Sequence, residues 1–194
     1  MMRIISVVLN SVIVLDMLVL TVMMFYRDGK WSVENGTKAL KYYTFLSNVF
    51  CALTALGMVI FPNLLPAWIL KYTGTVAVTI TLLTVLFFLG PKLGYKRVLT
   101  GRDFIMHMVN PLLAIVSLCV FERNEMPFYV TFFGLSQMIL YGLLYGYKVM
   151  FAKKGKGWDD FYGFNKGGRW YVSVAIMLPG TFVICVILWL VCRL

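Results

Sequence analysis

Residues 4–26 read IISVVLNSVIVLDMLVLTVMMFY, an unbroken apolar stretch whose one charge is Asp16. A helix needs about 20 such residues to cross a bilayer. The stretch is several times longer than a strand and lacks period-2 alternation. Five further runs of the same kind follow: 42–61, closed by Pro62; 66–90, with Lys71 near its start; 104–121; 128–151; and 170–191. Backbone in lipid must satisfy its own hydrogen bonds, which makes helices the economical solution. The expected fold is therefore all-α: a polytopic membrane protein, one domain over 1–194, with six transmembrane helices in a single bundle.

Composition points the same way. Of 194 residues, 61% are hydrophobic and 13% charged, and the mean hydropathy is +0.84. Soluble domains carry about 45–50% apolar and about 25% charged residues, and disordered chains carry the opposite balance to this one. Met1–Arg3 ahead of an apolar run resembles a signal peptide, but the run is too long and no small-x-small site follows Tyr26. A retained first helix is expected. Cys51, Cys119, Cys185 and Cys192 all fall inside the runs and read as small apolar packers. Asn35-Gly36-Thr37 is a glycosylation sequon that reads first as a turn.

The formal net charge of +10 is distributed unevenly. Arg27, Lys30, Lys38, Lys41, Lys92, Lys96, Arg97, Arg102, Lys148, Lys153, Lys154, Lys156, Lys166 and Arg169 flank or fill the loops after runs one, three and five. Arg3, Lys71, Arg123 and Arg193 alone fall on the other side. Cytoplasmic loops carry the Lys/Arg excess, so those three loops are expected in the cytosol of a cell or plasma membrane, with both termini outside. Cations spread over three membrane-proximal loops argue against nucleic acid as the partner and suit anionic lipid headgroups.

The fifth loop, Lys153 to Trp170, interleaves cations with Trp158, Phe161, Tyr162 and Phe164, a headgroup-zone mixture. It reads as a topological anchor, or as a gate on a lipid's route inward. Asp159-Asp160 lacks further ligands, and one histidine without clustered carboxylates gives no zinc motif. No metal or cofactor is expected. No Walker or dinucleotide fingerprint occurs, and nothing in the chain specifies an oligomeric state.

Polar groups at membrane depth are expensive and hence candidates for function. Thr44 opens the second run, with Asn48, Cys51 and Ala55 on the same helical face and Ser47 adjacent. His107 opens the fourth, with Asn110, Pro111, Ala114 and Ser117 continuing its face. Both lie about one turn inside the same membrane end. If the stripes face each other, a hydroxyl meets an imidazole: the minimal activated nucleophile, in which the ring takes the proton as oxygen attacks an acyl carbon. Asn48 or Asn110 could donate to an oxyanion, or act only as interhelical glue. Most helical threonines simply bond a carbonyl one turn back. Pro111 removes a backbone donor near residue 107. Asp16 could carry a proton, bind a cation or orient His107 from a distance, or could merely hydrogen-bond a neighbouring helix.

At Lys41-Tyr42-Tyr43-Thr44-Phe45-Leu46-Ser47-Asn48 and at His107 to Pro111 the chain resembles the family of androgen-induced protein and the androgen-dependent tissue-factor-pathway-inhibitor-regulating protein. These are small multi-pass membrane hydrolases with bacterial relatives. The resemblance implies that Thr44 is a nucleophile and His107 its base, acting on fatty-acyl esters such as acylated hydroxy fatty acids. Family members often carry Tyr-Pro near the end of the fifth helix, where this chain has Tyr147-Lys148. Their termini are cytosolic, opposite to the charge count here. The competing reading is a transporter or channel-like protein using Asp16 and the polar stripes.

Overall fold

The computed structural model describes residues 1–27, 29–153 and 155–194; Lys154 of the basic fifth loop lies outside the described residues. The helices are α1 (Met2–Phe25), α2 (Val33–Ala39), α3 (Tyr43–Ile60), α4 (Leu65–Leu93), α5 (Tyr95–Val98), α6 (Arg102–Phe121), α7 (Val130–Met150) and α8 (Trp170–Arg193). A two-residue antiparallel ladder, Tyr26–Arg27 with Lys30–Trp31, follows α1.

Five helices, α1, α3, α4, α6 and α8, are long and apolar enough to cross a membrane. The fifth expected run is also helical, as the 21-residue α7, but it is not one of those five. Ser136, Gln137, Tyr141, Tyr145, Tyr147 and Lys148 dilute its apolar character. The sequon differs from its turn reading. Asn35, Gly36 and Thr37 lie within α2, which Ser32 caps by accepting from the Asn35 N–H at 3.3 Å. Gly36 is buried there, where any Cβ would run into the Phe25 ring.

Proline shapes two of the long helices. It has no N–H, so the carbonyl four residues earlier loses its donor. Accordingly α4 widens to a π turn over Val85–Leu89 ahead of Pro91, and α6 does so over Ile105–Val109 ahead of Pro111. Such π turns often accompany functional sites.

The α4 helix occupies the centre, packed against α3, α6, α7 and α8, while α1 lies against α3 and α6. Trp68, Tyr72, Val76, Val78 and Val85 of α4 are buried, and Thr73, Gly74, Thr75 and Ala77 keep its neighbours close. In contrast, α1 and α8 expose Ile4, Val8, Leu15, Leu18 and Ile176, Val183, Ile187, Leu190, faces suited to lipid tails. Lipid is as apolar as leucine, so close packing and interhelical hydrogen bonds hold such helices together, each bond contributing about 0.6 kcal/mol on average. The bonds include Trp68 Nε1 to the Glu122 carbonyl (2.6 Å), Tyr72 Oη to the Cys185 carbonyl (2.5 Å) and Trp189 Nε1 to the Met126 carbonyl (2.7 Å). All four cysteines are buried and free.

Candidate functional site

Thr44 sits in the first turn of α3, half-buried. Its carbonyl accepts from Ser47 Oγ (3.0 Å) and Asn48 Nδ2 (2.9 Å), whereas its hydroxyl has no hydrogen-bond partner among the described residues. The residue lines a cavity of about 510 Å³ between α3, α4, α7, α8 and the fifth loop, within the range of small-molecule sites. The cavity lies at the end of the bundle where the three basic loops emerge. Ser47 is paired with Thr81 on α4 (2.9 Å). That bond fixes the register of two antiparallel helices. Three residues further toward the basic end on each, Thr44 and Thr84 stand at one depth, both on the cavity wall.

His107 lies in the π turn of α6 and is 8% exposed. Its Nδ1 is 2.7 Å from the carbonyl oxygen of Val98 on α5. A carbonyl only accepts, so Nδ1 carries the proton and Nε2 of the neutral ring is left with its lone pair. No hydrogen bond joins Thr44 to His107, and His107 is not part of the cavity wall.

Asn48 and Asn110 stitch α3 to α6. Asn48 Nδ2 donates to the Met106 carbonyl (3.0 Å) as well as to Thr44, and Asn110 Nδ2 donates to Asn48 Oδ1 (3.2 Å). Both amide hydrogens of Asn48 are thereby used, which leaves none for an oxyanion. Asn110 Oδ1 is buried without a partner. Asp16 is half-buried on α1, and its carboxylate makes no hydrogen bond to the protein.

The fifth loop closes the basic end of the cavity with Tyr162, Gly163 and Phe164. Asp160 organises it: one carboxylate oxygen accepts from Tyr145 Oη (3.0 Å) and the Phe164 N–H (2.7 Å), the other from the Asn165 N–H (2.8 Å). Tyr162 Oη in turn accepts from the Tyr43 N–H (3.1 Å). Burial raises the Tyr162 phenol above its ordinary value, so it stays an intact hydroxyl. Lys41 and Lys148 lie over aromatic rings, Lys41 over Tyr42 and Phe161 and Lys148 over Trp158. Hydrogen bonds to a charged acceptor contribute about 1.5–3 kcal/mol each. Asp160→Ala is therefore expected to open the loop, read as faster proteolytic cleavage between residues 155 and 169 with the helices intact.

A second polar cluster, at the opposite end of the bundle, escaped the sequence reading. Lys71 Nζ, fully buried on α4, donates to Asn10 Oδ1 on α1 (2.6 Å). The Asn10 amide donates to Glu122 Oε1 just beyond α6, which also accepts from Ser6 Oγ (2.6 Å) and Ser117 Oγ (2.8 Å). Glu122 Oε2 is buried without a partner. The available signal was the i, i+4 pair Ser6 and Asn10, one polar face at the start of an apolar helix. Among the described residues, no group of three His, Cys, Asp or Glu could hold a metal ion. Comparison with protein-family models, curated proteins and solved structures finds no match.

Proposed function

We propose that this chain is a six-span membrane protein that hydrolyses a lipid ester, with Thr44 as nucleophile and His107 as base. The observation that carries the reading is the Thr44 hydroxyl, unpartnered among the described residues, in the wall of a predominantly apolar cavity that holds no charged side chain. The His107 tautomer adds support, because Nε2 is free to accept a proton. In the reaction Thr44 Oγ1 attacks the ester carbonyl while Nε2 takes its proton. The alcohol leaves with that proton, and water then cleaves the acyl–threonine bond. The pair must be joined by a bridging water or by movement of the π turn at Ile105–Val109; catalytic hydrogen bonds often tighten only around substrate.

In this reading α7 is the sixth span: its 21 residues extend about 31 Å at 1.5 Å each. The basic loops are cytosolic and the termini outside, following the Lys/Arg asymmetry. The test is turnover of a long-chain ester by purified protein. Thr44→Ala and His107→Ala are each expected to lower kcat at least a hundredfold, the scale of general-base catalysis, with thermal stability unchanged in Thr44→Ala and lowered in His107→Ala, which also loses the bond to the Val98 carbonyl. Full activity in Thr44→Ala would end the hydrolase reading.

A second reading, a carrier or channel-like protein, draws on the buried charges Lys71 and Glu122 rather than on Asp16. Uptake into proteoliposomes that depends on Lys71 or Glu122, with no esterase activity throughout, would favour it.

A further inference from the structure

Threonine hydroxyls inside apolar helices normally bond a carbonyl one turn back. Here Thr54, Thr73, Thr75, Thr79, Thr81 and Thr131 all do so. Thr21, Thr44, Thr84 and Thr181 do not, and of these Thr44, Thr84 and Thr181 line the same cavity. Thr181 is 3% exposed, so its hydroxyl has little but the cavity to face. Thr44 and Thr84 share one depth through the Ser47–Thr81 register. Thr181, eleven residues into α8, lies deeper.

Most other polar groups of the wall are already engaged, and Tyr162 Oη accepts from the Tyr43 N–H. Tyr43 bonds Gln137, Tyr141 the Lys41 carbonyl, Tyr145 Asp160, and Ser173 the Phe164 carbonyl at 2.8 Å. No Lys, Arg, Asp, Glu or His is among the lining residues. The nearest cations on the α8 side, Lys166 and Arg169, are exposed and line a separate surface hollow. That hollow shares Gly163 and Ser173 with the cavity.

Resting on the hydrolase reading and narrowing it, we propose that the cavity takes an uncharged lipid, a neutral ester whose carbonyl oxygen accepts from the Thr84 hydroxyl while its carbon faces Thr44 Oγ1, its acyl chain running past Thr181. A carboxylate or phosphate in this wall would be buried without a countercharge, which costs far more than a hydroxyl-to-carbonyl contact returns. An acylated hydroxy fatty acid, with its free carboxylate, therefore fits this wall worse than a neutral glyceride ester. Thr84 is a binding residue in this scheme, and the base lies elsewhere.

The test is native mass spectrometry of wild-type protein released from nanodiscs doped with 1-oleoylglycerol, oleate or oleoyl lysophosphatidate. Retention of 1-oleoylglycerol at least tenfold above the two anions is expected. Thr84→Val is expected to weaken it severalfold, the scale of one lost hydrogen bond, and Thr84→Ser should retain most of the binding. Preferential retention of oleate or lysophosphatidate by the wild type overturns the proposal, and this comparison needs no variant to fold. Retention of 1-oleoylglycerol by Thr84→Val equal to that of the wild type overturns it also. Binding without turnover would remove the hydrolase and leave the ligand class standing; turnover of carboxylate-bearing esters without retention of 1-oleoylglycerol would do the reverse.

Discussion

Lys71→Met should destabilise the protein by about 3–5 kcal/mol, the usual result of removing one member of a buried charge pair. Methionine fills much the same space, so the loss is electrostatic rather than steric. Asn10 Oδ1 loses its donor, and the amide that bridges to Glu122 is no longer anchored on α4. Glu122 is then a buried carboxylate with no cation at the far end of its network, and its Oε2 remains unpartnered. The cost should show in thermal unfolding in a fixed detergent. Lys71→Met with Glu122→Gln should recover more than half of it, because the uncompensated charge is removed as well. If the double variant is as unstable as the sum of the singles, the two residues are not coupled through Asn10. The network ties the start of α1, the first turns of α4 and the end of α6. Its loss should therefore separate α1 from the bundle before the Thr44 end is disturbed, and retained 1-oleoylglycerol binding at moderate temperature would report that order.

The helices were legible because lipid leaves the backbone one economical solution, so apolar run length translates almost directly into α1, α3, α4, α6 and α8. The polar stripes through which α3 meets α6 were legible, although their meeting was only a condition of the reading. Thr44 with Asn48, and His107 with Asn110, recur at helical spacing, and the Asn48–Asn110 and Asn48–Met106 bonds join those same stripes. The π turn around His107 follows from Pro111 by the loss of one donor. Contacts that depend on which helices become neighbours were not legible. Lys71 looked like an interfacial lysine, because nothing in the α4 sequence says that Asn10 and Glu122 will surround it. Likewise Thr84 and Thr181 look like any other membrane threonines. Only the cavity separates them from Thr75 or Thr79, whose hydroxyls turn back on their own helix. The Val98 carbonyl that orients His107 comes from a four-residue helix in a loop, where apolar periodicity carries no information.

Gly74 is the point where α3 and α4 approach most demandingly, and a side chain there should produce the second large effect. A Cβ at Gly74 would run into Thr54 Oγ1 and stand 3.2 Å from the Cys51 Cα, which is backbone and cannot rotate away. Overpacking of this kind costs about 1–3 kcal/mol. Gly74→Ala is expected in that range by denaturant titration, and Gly74→Leu should yield little folded protein. Gly57→Ala on α3 is the control, since its Cβ meets nothing within 4 Å, and alanine is the better helix former by about 1 kcal/mol. Thr54→Ala should relieve part of the Gly74→Ala penalty by removing the Oγ1 contact while leaving the Cys51 one. The consequence extends to the cavity. Separation of α3 from α4 lengthens the Ser47–Thr81 bond that sets Thr44 and Thr84 at one depth. Gly74→Ala should then weaken 1-oleoylglycerol binding although Gly74 is nearly three turns from Thr84 and touches no ligand. Undiminished binding in a measurably destabilised Gly74→Ala protein would mean that the two threonine hydroxyls do not depend on the α3–α4 register.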